Sequence, residues 1–374
     1  MQSGNLSVIL ATYNEVETIG PIVRKLLSQL DQESGPSLEI IVVDDDSPDG
    51  TADVVRQLGR QDPRVHLLLR CGRSGLSTAI RDGLLSASGD LAVVMDADGQ
   101  HDPAIIHAAV TLLEQQALDL VVGSRFYTDG EQQQRIAGLS AKRQSGSEGA
   151  NWLARRSLPA YGHLSDIMSG FMVLRLTATR GAIRRVNLTG FKFLYELLSV
   201  SEGRFKVGEV PLNFHPRKMG NSKLDQAIIW DWLVSLLHTF TGRIVPRHAI
   251  SFGLVGMIGM AIHAGIFFTL RTVGWSFLYS QIVAVVAAAS SNYLVNNIFT
   301  FRAQRLRGMA LLIGLVKFLM VCSLGLIANI GVSIAVYANM REESLGIVAV
   351  LAGIMVDFIW KYAASSWFVW NVPY

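Results

Sequence analysis

The fold is decided by the stretch Leu91-Ala92-Val93-Val94-Met95-Asp96-Ala97-Asp98-Gly99-Gln100. Its first five residues are apolar and predict a buried strand, and two carboxylates follow it closely. Ligands of doubly wound sheets bind at the carboxyl ends of the strands. Two carboxylates one residue apart can share a divalent cation, which in turn can hold a nucleotide diphosphate. Taken alone, such an acidic turn is more often a solvated loop, so its meaning depends on the rest of the chain.

Strand-like and helix-like patterns alternate around this stretch, which predicts an α/β domain with a mainly parallel sheet. The predicted strands are 6–11, 38–43, 65–69, 91–95, 118–122, 171–175 and 205–210. The predicted helices are 17–30, 51–58, 78–87 and 103–115. The segment 127–149 is polar and rich in Gln, Gly and Ser, so it is predicted to be a mobile loop.

The chain changes character after Arg247, where long apolar stretches begin. Four of them exceed the roughly 18 to 20 residues that cross a bilayer as helix: 249–270, 276–299, 310–338 and 345–369. They predict an integral membrane protein whose second domain, 248–374, is all-α with four transmembrane helices. No signal-peptide pattern precedes the first strand, so we expect the α/β domain, 1–224, in the cytosol.

Basic residues set the expected orientation of the spans. One side carries Arg243, Arg247, Arg302, Arg305 and Arg307. The other side carries only Arg271 and Arg341. Cytosolic loops are the richer in Lys and Arg, so both termini are predicted to be cytosolic.

Cys71 and Cys322 fall in different domains and are not expected to bridge, which suits a reducing compartment. The net charge of +3 is too small to indicate nucleic acid binding.

The segment 225–247 joins the two domains, and its part 225–240 is unusually apolar and aromatic, with Trp230, Trp232 and Phe240. A helix lying in the membrane interface fits this composition, because indole rings favour the headgroup region. The alternative is a core helix of the α/β domain. The interfacial helix fits better, so we predict an interfacial juxtamembrane helix and linker over 225–247.

The second and fourth spans end alike, over 292–301 and 361–370. Aligned on Tyr293 and Tyr362, both place a small polar pair three and four residues later and then aromatic residues. A duplicated helical hairpin would produce this pattern, and so would aromatic belts at the membrane interface. Ionisable residues also occur within the spans: His263, Lys317, Asp357 and Lys361. They are candidates for function, although Asp357 and Lys361, four apart, can pair on one helix.

Two further polar segments end predicted strands of the α/β domain. The first strand ends in Ala11-Thr12-Tyr13-Asn14-Glu15, and the second ends in Val42-Val43 followed by Asp44-Asp45-Asp46-Ser47-Pro48-Asp49-Gly50-Thr51. A carboxylate such as Asp44 can accept from the N–H edge of guanine or uracil, and Tyr13 can pack on a ring. The Asp49-Gly50-Thr51 part also fits a turn and helix cap, which does not exclude function.

These motifs occur in order with Gly123-Ser124-Arg125, Ser169-Gly170-Phe171 and Gly220-Asn221-Ser222-Lys223-Leu224. The set resembles family 2 glycosyltransferases of the polyprenyl-phosphate hexose synthase type, closest to the dolichyl-phosphate mannose synthases. The resemblance covers about residues 6–224 and implies a GT-A (Rossmann-like) fold. From about 248 onward the chain resembles the four-helix GtrA-like membrane domain.

The resemblance implies an inverting, metal-dependent transfer of mannose from GDP-mannose to a polyprenyl phosphate of the dolichyl or undecaprenyl type. It would occur at the cytosolic face, in the plasma membrane of a prokaryote, with Mg²⁺ or Mn²⁺. UDP-glucose or another UDP-hexose is the alternative donor, and glycolipid translocation is an alternative role of the membrane domain. A processive polysaccharide synthase is disfavoured because the Gln-x-x-Arg-Trp signature is missing. The sequence admits a homo-oligomer.

The resemblance also assigns roles to residues. Asp96, Asp98 and Gln100 would bind the metal, and Asp98, Arg125 and Arg217 would be catalytic. The nucleotide sugar would be bound by Ala11, Thr12, Tyr13, Glu15, Val42, Asp44, Asp96, Ala97, Asp98 and Arg217. The lipid phosphate would be bound by Arg125, Arg143 and Ser169. The chain departs from the family pattern at Ala11, Gly99, Glu148 and Met172, and Glu148, where a basic residue is typical, weakens the acceptor assignment around 142–148.

Overall fold

The computed structural model describes residues 5–30, 37–72, 75–127, 141–188, 192–212, 226–338 and 346–372. The chain divides into two compact units, Met1–Phe240 and Thr241–Tyr374. The first unit is built around a sheet and the second from helices.

The first unit contains one seven-stranded sheet with the strand order β3-β2-β1-β4-β6-β5-β7. Its strands are β1 (Leu6–Thr12), β2 (Leu38–Asp44), β3 (Val65–Leu69), β4 (Leu91–Asp96), β5 (Leu120–Ser124), β6 (Met172–Arg175) and β7 (Val207–Pro211). All pair in parallel except β6, which is antiparallel to both β4 and β5. The predicted α/β class with a mainly parallel sheet is therefore confirmed.

Helices connect these strands and cover the sheet. They are α1 (Val16–Leu30), α2 (Thr51–Gln61), α3 (Leu76–Ser86), α4 (Ile105–Gln115), α5 (Ala141–Ser157), α6 (Leu176–Ile183), α7 (Phe193–Ser201) and α8 (Gln226–Phe240). Alternate residues of one strand enter different cores: Ile9 belongs to one apolar cluster, and Val8 and Leu10 belong to another. Both faces of the sheet are thus buried, which explains why its central strands are continuously apolar.

The prediction of a mobile loop over 127–149 is wrong for its last part, because α5 begins at Ala141. Residues 128–140 lie outside the described part of the chain. The helix escapes a composition-based prediction because its first half is rich in Gly and Ser, residues that favour loops. Its second half provides the apolar contacts: Ala154 is buried in the core of the unit.

The helix α8 packs on the first unit as the core-helix alternative predicts. Leu236 is buried in its core, and Trp232 packs against the same cluster. The hydroxyl of Ser235 also donates to the buried carboxylate of Glu196 on α7. Ile229 and Phe240 remain exposed, so an interfacial role for this helix stays a prediction.

Within residues 241–338 and 346–372, the second unit has four long apolar helices: α9 (Arg247–Thr272), α10 (Phe277–Val295), α11 (Met309–Ala338) and α12 (Gly346–Ala364). With the turns that follow α10 and α12, all four are long and apolar enough to span a membrane. Lys361 Nζ donates to Asp357 Oδ2 at 2.6 Å on α12. This pairing gives both ionisable residues a structural role.

The similar endings of the second and fourth spans have the same backbone. The five residues that directly follow α10, and the five that directly follow α12, each form a short π-helix: Asn296–Thr300 and Ser365–Val369. Phe301 and Trp370, which follow these turns directly, stack with ring centroids 4.2 Å apart. Both rings are buried in the unit, so they are core residues and not an aromatic belt. The geometry thus agrees with the predicted duplication.

Replacing Trp370 tests whether this stack holds the second unit together. Trp370→Ala removes the stack on Phe301 and the hydrogen bond from Trp370 Nε1 to Asn297 Oδ1 of 3.0 Å. We expect a loss of about 3 kcal/mol, measured as a lower unfolding temperature of the full chain in detergent. Trp367→Ala is the control, because that side chain is 61% exposed. Equal shifts in both variants would contradict this account.

Candidate active site

The carboxyl ends of three neighbouring strands form the candidate site. In the parallel register, Thr12 of β1 lies beside Asp44 of β2, and Ala11 lies beside Asp96 of β4. The segments singled out from the sequence therefore all leave the sheet at the carboxyl ends of its strands. Open α/β sheets bind their ligands at this end.

Asp44 is fully buried and fixes the turn after β2. Its Oδ2 accepts from Thr12 Oγ1 at 2.9 Å and from Ser47 Oγ at 2.7 Å, and its Oδ1 accepts from the Ser47 amide at 2.9 Å. The Ser47 hydroxyl accepts in turn from the Asn14 amide at 3.0 Å. Asp44 thus joins the ends of β1 and β2, and its predicted contact with a nucleobase remains a proposal.

The residues after β1 present both exposed and anchored groups. Tyr13 is 45% exposed, as a ring that packs on a nucleobase must be. The Glu15 amide donates to Thr51 Oγ1 at 3.0 Å, and its carboxylate accepts from Thr18 at 3.0 Å. Val42 is different: its side chain is buried in the core, so any contact with a ligand would be through its backbone.

The acidic turn after β4 is held by local hydrogen bonds. Asp98 Oδ1 accepts from the Gln100 amide at 3.1 Å, and the Asp96 amide donates to His101 Nδ1 at 3.2 Å. That bond leaves the proton of a neutral imidazole on Nε2, which lies 3.8 Å from Asp96 Oδ2. The carbonyl of Ala97, a buried residue, accepts from Thr18 Oγ1 at 2.9 Å. The turn is thereby tied to α1.

Asp96 and Asp98 fit the hard oxygen ligands that Mg²⁺ and Mn²⁺ prefer. The Asp96 side chain is 37% exposed, so it is open to a ligand, whereas Asp98 is buried. Within the described residues, no three His, Cys, Asp or Glu side chains cluster as a complete metal cage. A divalent cation bound by two carboxylates can take its remaining ligands from water and substrate phosphates.

Gly170 lies against the Asp96 carboxylate. A Cβ added at Gly170 would lie 2.5 Å from Asp96 Oδ2 and 3.0 Å from its Cγ. Only a glycine permits this close approach, which gives the Ser169-Gly170-Phe171 motif a physical role: it forms one wall beside the candidate metal ligand.

Arg125 follows β5 and is held by Asp166. Its Nε and Nη2 donate to the two carboxylate oxygens at 2.7 and 3.0 Å, and Asp166 is fully buried. Burial opposes the charge of Arg125, but Asp166 outweighs it and raises the pKa of Arg125 above its ordinary value. Arg125 is therefore a fixed cation. Its predicted contact with a lipid phosphate must use donors other than the two that Asp166 occupies.

The remaining predicted acceptor residues are less accessible or lie outside the description. Ser169 is buried, where its hydroxyl donates to the Gly123 carbonyl at 2.6 Å and accepts from the Phe171 amide at 3.1 Å. These contacts within the protein stabilise the Ser169-Gly170-Phe171 motif. Arg143 lies on α5, but its side chain is outside the described part, as is all of Arg217.

Four residues of the site were not predicted from the sequence: His101, Asp166, Lys192 and Glu209. Glu209 Oε1 accepts from the amides of Ser165 and Asp166 at 2.7 and 3.1 Å, which holds the segment that carries Asp166. His101 follows the acidic turn directly, and that proximity is a usable signal. The others come from segments that meet only in the folded chain.

Two family models match the chain. Residues 7–180 match "Glycosyl transferase family 2", and residues 251–370 match "GtrA/DPMS, transmembrane domain". The chain belongs to glycosyl transferase family 2 and carries a GtrA/DPMS transmembrane domain. The resemblance seen in its motifs is thus confirmed, and with the four apolar helices it makes the chain an integral membrane protein.

Curated relatives extend this similarity over both units. A dolichol-phosphate mannosyltransferase of Pyrococcus furiosus is 32% identical over 98% of this chain and 99% of its own. One of Saccharomyces cerevisiae is 32% identical over 66% of this chain and 91% of its own. Among solved structures, glucosyl-3-phosphoglycerate synthase from Mycobacterium tuberculosis is 22% identical, with a TM-score of 0.48, over 64% of this chain and 80% of that one.

The approach of Gly170 to Asp96 gives a test of the candidate metal site. Gly170→Ala should displace the Asp96 carboxylate and weaken Mn²⁺ binding about tenfold, measured by titration of free Mn²⁺ in the presence of GDP. Gly149→Ala is the matched control, because an added Cβ there meets no atom within 4 Å. Equal Mn²⁺ affinity in the two variants would remove Asp96 from the metal site.

Proposed function

We propose that the protein transfers mannose from GDP-mannose to a polyprenyl phosphate at the cytosolic face of a prokaryotic plasma membrane, with Mg²⁺ or Mn²⁺ bound at Asp96, Asp98 and Gln100. One observation above all supports this proposal: the carboxyl ends of β1, β2 and β4 lie side by side in the sheet. The relatives named dolichol-phosphate mannosyltransferase support mannose as the sugar and a polyprenyl phosphate as the acceptor.

The donor would lie along the carboxyl ends of β2, β1 and β4. Tyr13 is exposed there and packs on the base, while Thr12, Glu15 and Asp44 shape the nucleoside pocket. The carboxylates of Asp96 and Asp98 would hold the metal, which would in turn supply positive charge to the diphosphate. A bound Mg²⁺ or Mn²⁺ would neutralise the negative charge that grows on the leaving diphosphate.

The acceptor needs little chemical activation. A phosphate monoester is already anionic at neutral pH, so its oxygen attacks the anomeric carbon without a strong general base. One carbon–oxygen bond forms to the acceptor phosphate as the bond to the diphosphate breaks, and GDP leaves. A single displacement of this kind inverts the anomeric configuration.

The main demand on the protein is electrostatic, because two anionic reactants must come close together. Arg125 supplies a fixed positive charge after β5, held by the buried Asp166. Guanidinium groups pair well with phosphate oxygens, which supports a role for Arg125 and for Arg217. An acceptor confined to the bilayer would also reach a membrane-anchored enzyme at high effective concentration.

The proposal is tested by supplying radiolabelled GDP-mannose or UDP-glucose to the full chain with undecaprenyl phosphate and Mg²⁺ or Mn²⁺. We expect label in the organic extract from GDP-mannose and none after EDTA. Label from UDP-glucose alone would replace the donor and keep the mechanism. If neither donor labels lipid but preformed mannosyl lipid changes leaflet in vesicles, the alternative role in translocation would stand instead.

Replacing Asp98 tests the site in the same assay. Asp98→Asn keeps the size of the side chain and removes a charged metal ligand, so transfer should fall by about a hundredfold or more. Asp53→Asn is the control, because its side chain on α2 is 80% exposed. Turnover of Asp98→Asn equal to that of the control would show that Asp98 does not hold the metal.

A further inference from the structure

Lys192 lies beside the candidate site and has no role in the function proposed so far. It directly precedes α7, and its side chain is only partly exposed. Its ammonium donates to the Met168 carbonyl at 3.3 Å. Met168 precedes the Ser169-Gly170-Phe171 motif, and Gly170 of that motif touches Asp96. Lys192 is thus anchored to the wall that borders the candidate metal ligand.

The charges around Lys192 belong to the same site. Burial and repulsion from Arg125 both lower the pKa of Lys192, to about 8, although Asp166 and Asp96 act in the opposite direction. The two carboxylates each serve a second cation as well: Asp166 holds Arg125, and Asp96 is the proposed metal ligand. The charges of these four side chains balance, and a divalent cation at Asp96 and Asp98 would leave one net positive charge there, which favours an anion.

The order of strands indicates which anion this is. In the sheet, β1 and β2 lie on one side of β4, and β6 and β5 lie on the other. The nucleoside residues follow β1 and β2. Arg125 follows β5, and Met168, which binds Lys192, lies in the segment before β6. Lys192 therefore joins the cations on the side of β4 that is opposite the nucleoside pocket.

The geometry also favours Lys192 over Arg125 as the residue that contacts the anion directly. Asp166 occupies the Nε and Nη2 donors of Arg125, one of the two edges through which a guanidinium can bind a pair of phosphate oxygens. A lysine ammonium is a compact charge with three donors, held here by the Met168 carbonyl. A charge of this kind suits a phosphate as a point contact.

We propose that Lys192 binds the phosphate group of the lipid acceptor, next to Asp96 and opposite the nucleoside pocket. This inference rests on the proposed function for the identity of the acceptor. Arg125, locked by Asp166, contributes charge to the same subsite. Lys192 orients the acceptor oxygen toward the donor and neutralises part of the charge that two anionic reactants bring together.

The first test is binding, which does not require turnover. The full chain in detergent is titrated with undecaprenyl phosphate and with undecaprenol, which lacks the phosphate. Wild type should prefer the phosphate, and Lys192→Met should lose about tenfold or more of that preference. Lys192→Arg should restore most of it. Lys206→Met is the matched control, because Lys206 is an exposed lysine at the far edge of the sheet, before β7.

The second test separates the acceptor from the donor. Lys192→Met should raise the KM for undecaprenyl phosphate about tenfold or more, while the Kd for GDP with Mn²⁺ stays at the wild-type value. Unchanged GDP binding also shows that the variant is folded; if Lys192→Met does not fold, Lys192→Gln replaces it. An unchanged preference for the phosphate, or an equal loss of GDP affinity, would overturn the proposal.

The two tests also distinguish failure of the proposed reaction from failure of the role assigned to Lys192. If wild type transfers no mannose yet binds the phosphate lipid through Lys192, the proposed donor or reaction fails and the phosphate subsite stands. If wild type transfers mannose and Lys192→Met behaves as Lys206→Met does, the reaction stands and the assignment of Lys192 fails.

Discussion

The parallel register of β1, β2 and β4 is the constraint on which the site depends. It places Thr12 beside Asp44 and Ala11 beside Asp96, so three polar segments distant in sequence leave the sheet together. A slip of one residue would turn each buried side chain toward the opposite face. Both faces of these strands are packed with apolar side chains, which makes such a slip costly. The packing of the core thereby fixes the geometry of the site.

The two sides of β4 carry different charged groups at the carboxyl end of the sheet. The carboxylates of Asp44, Asp96 and Asp98 end β2 and β4, whereas Arg125 and Lys192 gather on the side of β5 and β6. An anionic donor held through a cation and an anionic acceptor held by fixed charges both match this arrangement. The matched pairing of Arg125 with a buried carboxylate keeps that cation charged and immobile. Electrostatic positioning, with no strong base, is the chemistry that such a site supports.

The sequence predicted those parts of the site that come from single segments. The acidic turn after β4 is visible because its carboxylates interrupt a buried strand, and the four spans are visible from length and hydropathy alone. It could not predict that Asp166 would hold Arg125, because the partner is distant in sequence and its own segment has no pattern. The bond from the Ser169 hydroxyl to the Gly123 carbonyl also joins distant segments and could not be predicted, and the contact of Ser169 with a lipid phosphate stays a prediction. The first half of α5 was missed because glycine and serine favour loops, and its helix is stabilised by tertiary contacts.

The most direct test of this account is the position of manganese in crystals of the full chain grown with GDP and Mn²⁺. Anomalous scattering at the manganese edge locates the ion independently of any assay. We expect one peak in contact with the carboxylates of Asp96 and Asp98 and with the diphosphate of GDP. A manganese peak bound to GDP away from both carboxylates would contradict it, as would bound GDP with no manganese at the end of β4.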